Sequence, residues 1–185
     1  MVRQLLLATG LPAEAAEEFA PLWTKKVTLA RNDFLLTKGQ TEAFMYIVLE
    51  GALRLFYPVE TEEICVGFAY ENTIVSSFPS FIANQSSEYS IQALRKCELI
   101  GVSRTDFMNL MERSPALERY WRIQLEKAVL GRIDREIDLL LPNPEERLQR
   151  LLKRSPHIFQ IIPRKYIASY LRMTPETLSR IRLNS

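Results

Sequence analysis

The sequence predicts an α+β fold with three parts in order: a β-rich body, one long helix and a small helical tail. Residues 26–102 consist of short runs of β-branched, aromatic and aliphatic residues separated by turn residues, which is typical of a sandwich or a barrel. Residues 116–141 form a long run with apolar residues at helical spacing. Pro142-Asn143-Pro144 must end that helix, so we expect a domain boundary there.

Seven strands, separated by turns, are predicted in the β-rich body. Strands are predicted at residues 27–29, 34–36, 45–49, 52–57, 64–69, 90–94 and 98–102. Turns are predicted at Asn32-Asp33, Lys38-Gly39, Glu50-Gly51 and Pro58. A short helical turn at residues 78–84 interrupts the strand pattern, a helix over residues 13–20 precedes it, and helices follow Arg104.

The long helix has two apolar stripes. Ser114 and Pro115 suit its N-cap and first turn. One stripe contains Ile123, Leu130, Ile133, Ile137 and Leu140, and the neighbouring stripe contains Leu117, Trp121, Leu125 and Ala128. Such a helix is either buried within one core or shared between the β-rich body and a twin helix. The sevenfold spacing of the first stripe favours a homodimer seam.

Charge is strongly segregated along the chain. The whole chain has 24 Lys and Arg against 22 Asp and Glu, a formal net charge of +2. Residues 147–185 alone have nine basic residues and one acidic residue, so this tail has a net charge of +8 and the rest of the chain −6. An acidic body joined to a basic tail indicates two modules with different partners.

The sequence has few features that would indicate a membrane protein or an enzyme. There is no uninterrupted apolar run of about 18 residues, so no membrane partner is expected, and the first ten residues do not resemble a signal peptide. Cys65 and Cys97 lie in apolar runs and are expected to be buried free thiols in a reducing cytoplasm. With His157 as the only histidine and no Gly-rich phosphate loop, we expect neither catalysis nor a metal, haem or iron–sulfur cofactor.

The tail is predicted to contain a helix-turn-helix. A helix at residues 163–171, a tight turn at Arg172-Met173 and a last helix from Pro175 have the required lengths. Thr174 suits the N-cap of the last helix, whose Leu178 and Ile181 can face the preceding helix. The second helix of such a motif enters the DNA major groove.

The exposed face of the last helix has the chemistry to read bases. Arg180 offers the forked donors that match guanine, and Glu176 can accept from cytosine. Lys165, Arg172 and Arg182 are expected at phosphates. The predicted DNA-binding set is Lys165, Arg172, Thr174, Glu176, Thr177, Ser179, Arg180 and Arg182. The alternative is a surface helix with an ordinary Glu–Arg pair four residues apart.

Two motifs resemble the catabolite-activator (CRP/FNR) family of transcription factors. TPETLSRI at residues 174–181 resembles its recognition helix, and NDFLLTKGQ at 32–40 with MYIVLEG at 45–51 resembles the opening strands of its cyclic-nucleotide-binding β-roll. The resemblance implies a double-stranded β-helix (β-roll) sensor domain at residues 1–113, a dimerisation helix at 114–141 and a helix-turn-helix DNA-binding domain at 142–185. It also implies double-stranded DNA, a second copy of the chain and RNA polymerase as partners.

The sequence departs from this family where a cyclic nucleotide would bind. Members that bind one have a Gly-Glu pair before a short helix, and an Arg followed by a small hydroxyl residue, whereas this chain has VSSFPS at 75–80 and SSEYS at 86–90. No Lys or Arg lies between Arg54 and Arg95, and Glu88 would repel a phosphate. We therefore expect no cyclic AMP binding in the family's manner.

The same segment could still form a different effector pocket. Its polar residues are Ser76, Ser77, Asn84, Gln85, Ser87, Glu88 and Tyr89. They could bind an uncharged or hydrogen-bonding ligand, or form a solvated loop with no ligand. Arg172 is a second departure, since the family has Gly in the turn, and a left-handed backbone there costs a non-Gly residue roughly 1 kcal/mol. The rival function is a β-roll dimer that acts as an interaction or ligand-sensing module without specific DNA binding.

Overall fold

The computed structural model describes residues 1–181, and two four-stranded antiparallel sheets form its body. The strands are β1 Trp23–Leu29, β2 Phe34–Leu36, β3 Phe44–Glu50, β4 Ala52–Val59, β5 Glu62–Tyr70, β6 Ile74–Val75, β7 Ser90–Ala93 and β8 Cys97–Ser103. The helices are α1 Val2–Ala8, α2 Ala13–Phe19, α3 Phe78–Ala83, α4 Arg104–Arg113, α5 Pro115–Leu140, α6 Pro144–Arg154, α7 Ile158–Ile161, α8 Arg164–Tyr170 and α9 Pro175–Arg180.

The two sheets enclose an apolar interior. Their strand orders are β1-β8-β3-β6 and β2-β7-β4-β5. Every strand contributes to the interior, whose buried residues are Leu29, Leu36, Tyr46, Val48, Leu53, Ala69, Val75, Ile91, Ala93, Cys97 and Leu99. Alternation along β4 places Leu53 in this interior and Ala52 and Arg54 on the opposite, outer face of the sheet.

The predicted pattern of short strands is confirmed, with two differences. Pro58 was predicted to be a turn residue, but it lies inside β4, paired with Glu63 of β5. Strand β7 pairs with β4 only from Leu53 to Phe56, so Pro58 needs no donor on that side. The helix α1, the two-residue strand β6 and the four-residue helix α7 are additional elements. Strand β6 and helix α7 are too short for any sequence periodicity to reveal.

A second core joins the N-terminal helices to the start of α5. The ring of Phe107 lies 5.9 Å from that of Phe19, 5.6 Å from that of Phe81 and 4.9 Å from that of Trp121. Aromatic pairs at these separations add to the stability gained from burial. Helix α5 is therefore anchored to the body by its first turns.

The two stripes of α5 have different environments. Leu117 and Trp121 of one stripe are buried in the second core. Every residue of the other stripe is exposed, from Ile123 at 38% to Leu140 at 82%. None of the helices within residues 1–181 is both long and apolar enough to cross a membrane.

Helices α6 to α9 form a third core. Its buried residues are Leu148, Leu151, Ile158, Ile162, Ile167, Ala168, Leu171 and Leu178, together with Ala52 of β4. Helix α5 ends at Leu140, before Pro142, and Asn143 accepts a hydrogen bond from the backbone N–H of Glu145 to begin α6. The outer face of the second sheet therefore lies against the C-terminal helices.

Candidate nucleic-acid interface and cavity

Helices α8 and α9 are joined by a tight turn. The hydroxyl of Thr174 accepts a hydrogen bond from the backbone N–H of Thr177, at 3.2 Å, which is the predicted N-cap. Arg172 has a φ of 54°, so the left-handed conformation expected from the family's Gly is present with a non-Gly residue. Leu178 is buried against Ile167 and Leu171.

This packing leaves the polar side of the two helices at the surface. Lys165, Arg172, Thr174, Glu176, Ser179 and Arg180 are exposed, and Thr177 is half-buried. The hydroxyl of Ser179 donates to the carbonyl oxygen of Glu176 at 2.8 Å. Arg182 lies outside the described residues. The structure thus brings the other seven predicted residues onto α8, α9 and their connecting turn.

The carboxylate of Glu176 is held in its charged form. Hydrogen bonds from its own backbone N–H and from the Thr174 hydroxyl lower its pKa below the ordinary value. Among the described residues, Glu176 and Arg180 form no direct ion pair, although the positive charge of Arg180 contributes to the lowered pKa of Glu176. Both side chains are exposed at the surface of α9.

Among the described residues, three basic residues of the tail bind carboxylate or backbone oxygens within the protein, so not all of the positive charge of the tail is available to an outside partner. Arg150 and Arg154 pair with the carboxylate of Asp138, which is 1% exposed near the end of α5. Arg147 donates to backbone carbonyl oxygens, among them that of Leu171 at 3.0 Å. The sequence could not indicate these contacts, because they join residues that are 12 to 24 positions apart.

Helix α8 rests on the outer face of the second sheet. The hydroxyl of Ser169 accepts from the backbone N–H of Cys65 at 3.0 Å and donates to the carbonyl oxygen of Glu63 at 3.1 Å. The guanidinium of Arg54 is buried against Tyr166, 4.6 Å from the ring centroid, and contacts Glu63 at 2.6 Å. The sequence analysis did not predict that Arg54 and Ser169 form this interface. The presence of Arg54 in an otherwise apolar strand was the one sequence feature that could have indicated it.

A cavity of about 720 Å³ lies on the other side of the second sheet, between the sheets and α5. We call it the roll–helix cavity. Its apolar walls include Met45, Leu55, Ala69, Val75, Phe78, Trp121 and Leu125. Its volume is within the range of small-molecule sites. Thr9 and Tyr120 share a hydrogen bond of 2.5 Å at its edge, and burial raises the pKa of Tyr120.

Only two of the predicted pocket residues line this cavity. They are Ser76, whose hydroxyl donates to the Phe44 carbonyl oxygen, and Tyr89. Ser77 and Ser87 are buried and hydrogen-bonded to each other at 2.8 Å.

The remaining predicted pocket residues do not line the cavity. Asn84 is the left-handed C-cap of α3. Glu88 is exposed, 3.9 Å from Lys38, and Gln85 is exposed as well. These residues lie in the loop between α3 and β7, so the alternation of a strand does not predict whether their side chains face the cavity or the solvent.

The cavity has one cationic side chain in its lining. Arg132 comes from α5 rather than from a strand, and it donates to the Val66 carbonyl oxygen at 3.2 Å. Glu136, one turn later, also lines the cavity. Within residues 1–181, no group of three or more His, Cys, Asp and Glu side chains could hold a metal ion.

Part of the chain matches a known domain family. The model of the cyclic nucleotide-binding domain family matches residues 26–114, which run from β1 to the end of α4. A comparison with curated proteins finds no match.

Solved structures with the same fold cover most of the chain. FixK2 of Bradyrhizobium japonicum is 15% identical, with a TM-score of 0.71 over 84% of this chain and 81% of that one. CLP of Xanthomonas campestris, a c-di-GMP-responsive global regulator, is 17% identical, with a TM-score of 0.67 over 91% and 89%. The catabolite activator protein of Thermus thermophilus is 23% identical, with a TM-score of 0.60 over 95% and 83%. Residues 26–114 therefore match the cyclic nucleotide-binding domain family, and the chain shares its fold with CLP and with the catabolite activator protein.

Proposed function

We propose that the chain is a cytoplasmic, homodimeric transcription regulator whose helix α9 reads DNA in the major groove. Residues 1–113 form its sensor domain, residues 114–141 its dimerisation helix and residues 142–185 its DNA-binding domain. The observation that carries the proposal is the exposed side of α9, where Glu176 and Arg180 have no ion pair with each other within the described residues, while Leu178 is buried beneath them.

The exposed stripe of α5 supports the dimer. Leu130 is 62% exposed and Leu140 82%, and a second copy of α5 would cover both. Two α9 helices in such a dimer would enter successive major grooves about 34–36 Å apart. RNA polymerase is the further partner that we propose.

The roll–helix cavity is the proposed effector site. Its walls are largely apolar, and the cation in its lining, Arg132, already donates to a backbone carbonyl oxygen. An uncharged or hydrogen-bonding ligand suits these walls better than a cyclic phosphate does. Signal transfer is proposed to change the position of α6 to α9 about Pro142-Asn143-Pro144.

Titration with cyclic AMP is expected to show no binding at micromolar concentrations. The cation in the cavity lining, Arg132, already donates to the Val66 carbonyl oxygen, and a buried phosphate without an available cation is costly. Isothermal calorimetry on the full chain is the measurement, with Tyr89→Phe and Ser76→Ala as variants of the cavity lining. Micromolar binding that these two variants weaken would overturn the prediction.

Selection from a random pool of duplex DNA at two salt concentrations tests the proposed function. A specific site with two-fold symmetry, retained near physiological salt, is the expected result, because base contacts persist when phosphate contacts weaken. Binding that has no sequence preference and disappears near physiological salt would instead favour an interaction or ligand-sensing module. The internal partners of Arg147, Arg150 and Arg154 are the observation that favours this second candidate, since they reduce the charge available to DNA.

A further inference from the structure

One guanidinium joins two separate segments of the backbone in the C-terminal part of the chain. Nε of Arg147 donates to the carbonyl oxygen of Leu141 at 2.8 Å, and Nη2 to that of Pro142 at 3.4 Å. Nη1 donates to the carbonyl oxygens of Leu171 at 3.0 Å and Arg172 at 3.2 Å. The first pair belongs to the link after α5, and the second to the turn between α8 and α9.

Both segments are the ends of helices. Leu141 is the C-cap of α5 and Leu171 is the C-cap of α8. The last carbonyl groups of a helix lack intrahelical partners and carry a partial negative charge, so a cation stabilises them. Arg147 therefore meets two helix C-termini at once.

The turn contains one residue with an unfavourable backbone conformation. Arg172 has a left-handed backbone at a φ of 54°, which is unfavourable for a residue with a Cβ atom. Within the turn, the N–H of Arg172 donates to Ser169 and that of Met173 donates to Ala168. Arg147 donates hydrogen bonds to the carbonyl oxygens of Leu171 and Arg172. These bonds fix the carbonyl group of the strained residue Arg172.

We propose that Arg147 is a positioning residue for DNA recognition: it fixes the turn before α9 relative to the end of α5. This inference rests on the proposed function, because the orientation of α9 affects DNA recognition only if α9 reads DNA. It also implies that the side chain of Arg147 transmits a movement of the link at Leu141 and Pro142 to the turn. The planar fork of Arg reaches both carbonyl pairs together, whereas the single ammonium group of Lys does not match that geometry.

The test compares three variants of the full chain. Arg147→Gln removes the charge and the fork, and Arg147→Lys removes only the fork. Lys153→Gln is the matched control, because Lys153 is an exposed residue of the same helix, makes no hydrogen bond or ion pair among the described residues, and loses the same charge. Hydrogen exchange is measured on the protein without DNA, and affinity on a selected site and on random duplex DNA.

We expect Arg147→Gln to raise exchange of the Arg172 and Met173 amides about tenfold, since charge-assisted hydrogen bonds are lost. The amides of Leu148 and Leu151 in α6 should keep their exchange rates. Affinity for the selected site should fall about tenfold with an unchanged salt dependence, and affinity for random DNA should fall less. Arg147→Lys should change the same quantities to a smaller extent, and Lys153→Gln should leave the exchange rates of the turn unchanged.

Two results would overturn the inference. One is exchange at the turn that matches the Lys153→Gln control, or that rises equally throughout α6 to α9. The other is an equal loss on both DNAs with a salt slope reduced by about 0.9, the signature of a phosphate contact. If the unaltered chain binds no specific DNA, the proposed function fails, while the exchange rates still decide whether Arg147 positions the turn.

Discussion

Replacing Asp138 with Ala is expected to lower the free energy of unfolding by roughly 2–3 kcal/mol. Asp138 is 1% exposed, and its two carboxylate oxygens accept from Arg150 and Arg154. Both arginines are partly exposed, at 40% and 29%, so water can solvate them in the variant, and the loss stays below that of a fully buried pair. The melting temperature should fall by about 5–10 °C.

Asp134→Ala is the matched control for this variant. Asp134 is 47% exposed, on the preceding turn of α5, and lies 3.7 Å from the same Arg150. An exposed pair of this kind contributes only about 0–1 kcal/mol, so the control should melt within a few degrees of the unaltered chain. Thermal unfolding of the three proteins at neutral pH is the measurement. Equal shifts for the two variants would show that burial of Asp138 does not matter.

The contribution of Asp138 should also depend on pH in a defined direction. Burial alone would raise its pKa, but hydrogen bonds from Arg154 and Arg150 outweigh burial and lower the pKa below the ordinary value. A carboxyl group whose pKa is lowered by folding contributes stability above its unfolded pKa. The difference in stability between the unaltered chain and Asp138→Ala should therefore persist at neutral pH and shrink below about pH 4.

Local patterns in the sequence predicted most of the elements and the two stripes of α5. Ser114 and Thr174 cap the helices that the sequence assigned to them, since capping depends on residues only three positions apart. The two predicted stripes are separate faces of α5, with Leu117 buried on one and Leu130 exposed on the other, because helical spacing decides which residues share a face. The left-handed backbone at Arg172 is what the family resemblance implies, since the family has Gly in this turn.

Contacts between distant segments were not predictable in the same way. Asp138 is an acidic residue at the end of an amphipathic helix, and only the fold brings Arg150 and Arg154 to it. Ser77 and Ser87 looked like ligand-facing hydroxyl groups, but they bond to each other in the interior. Sequence spacing predicts which face of a helix or strand a side chain occupies. It does not predict which residue from a distant segment or a loop that side chain will contact.

The second large effect is expected at Arg180, the residue proposed to read a base. Arg180 and Lys165 are both exposed, on α9 and α8, and each carries one positive charge. A forked donor pair on guanine contributes about 1–3 kcal/mol of discrimination between bases, whereas a phosphate contact contributes none. Arg180→Ala should therefore reduce affinity for a selected site by roughly 1–3 kcal/mol per half-site and relax specificity at one base pair. Lys165→Ala should weaken binding to all sequences alike.

Equilibrium binding of these two variants to a selected site and to random duplex DNA tests the central claim most directly. Arg31→Ala is the control for net charge, because Arg31 is an exposed residue between β1 and β2, in the body. We expect Arg180→Ala to lower the ratio of specific to random affinity, and Lys165→Ala to lower both affinities and leave their ratio unchanged. Equal losses on both DNAs for both variants would contradict the claim that α9 reads bases.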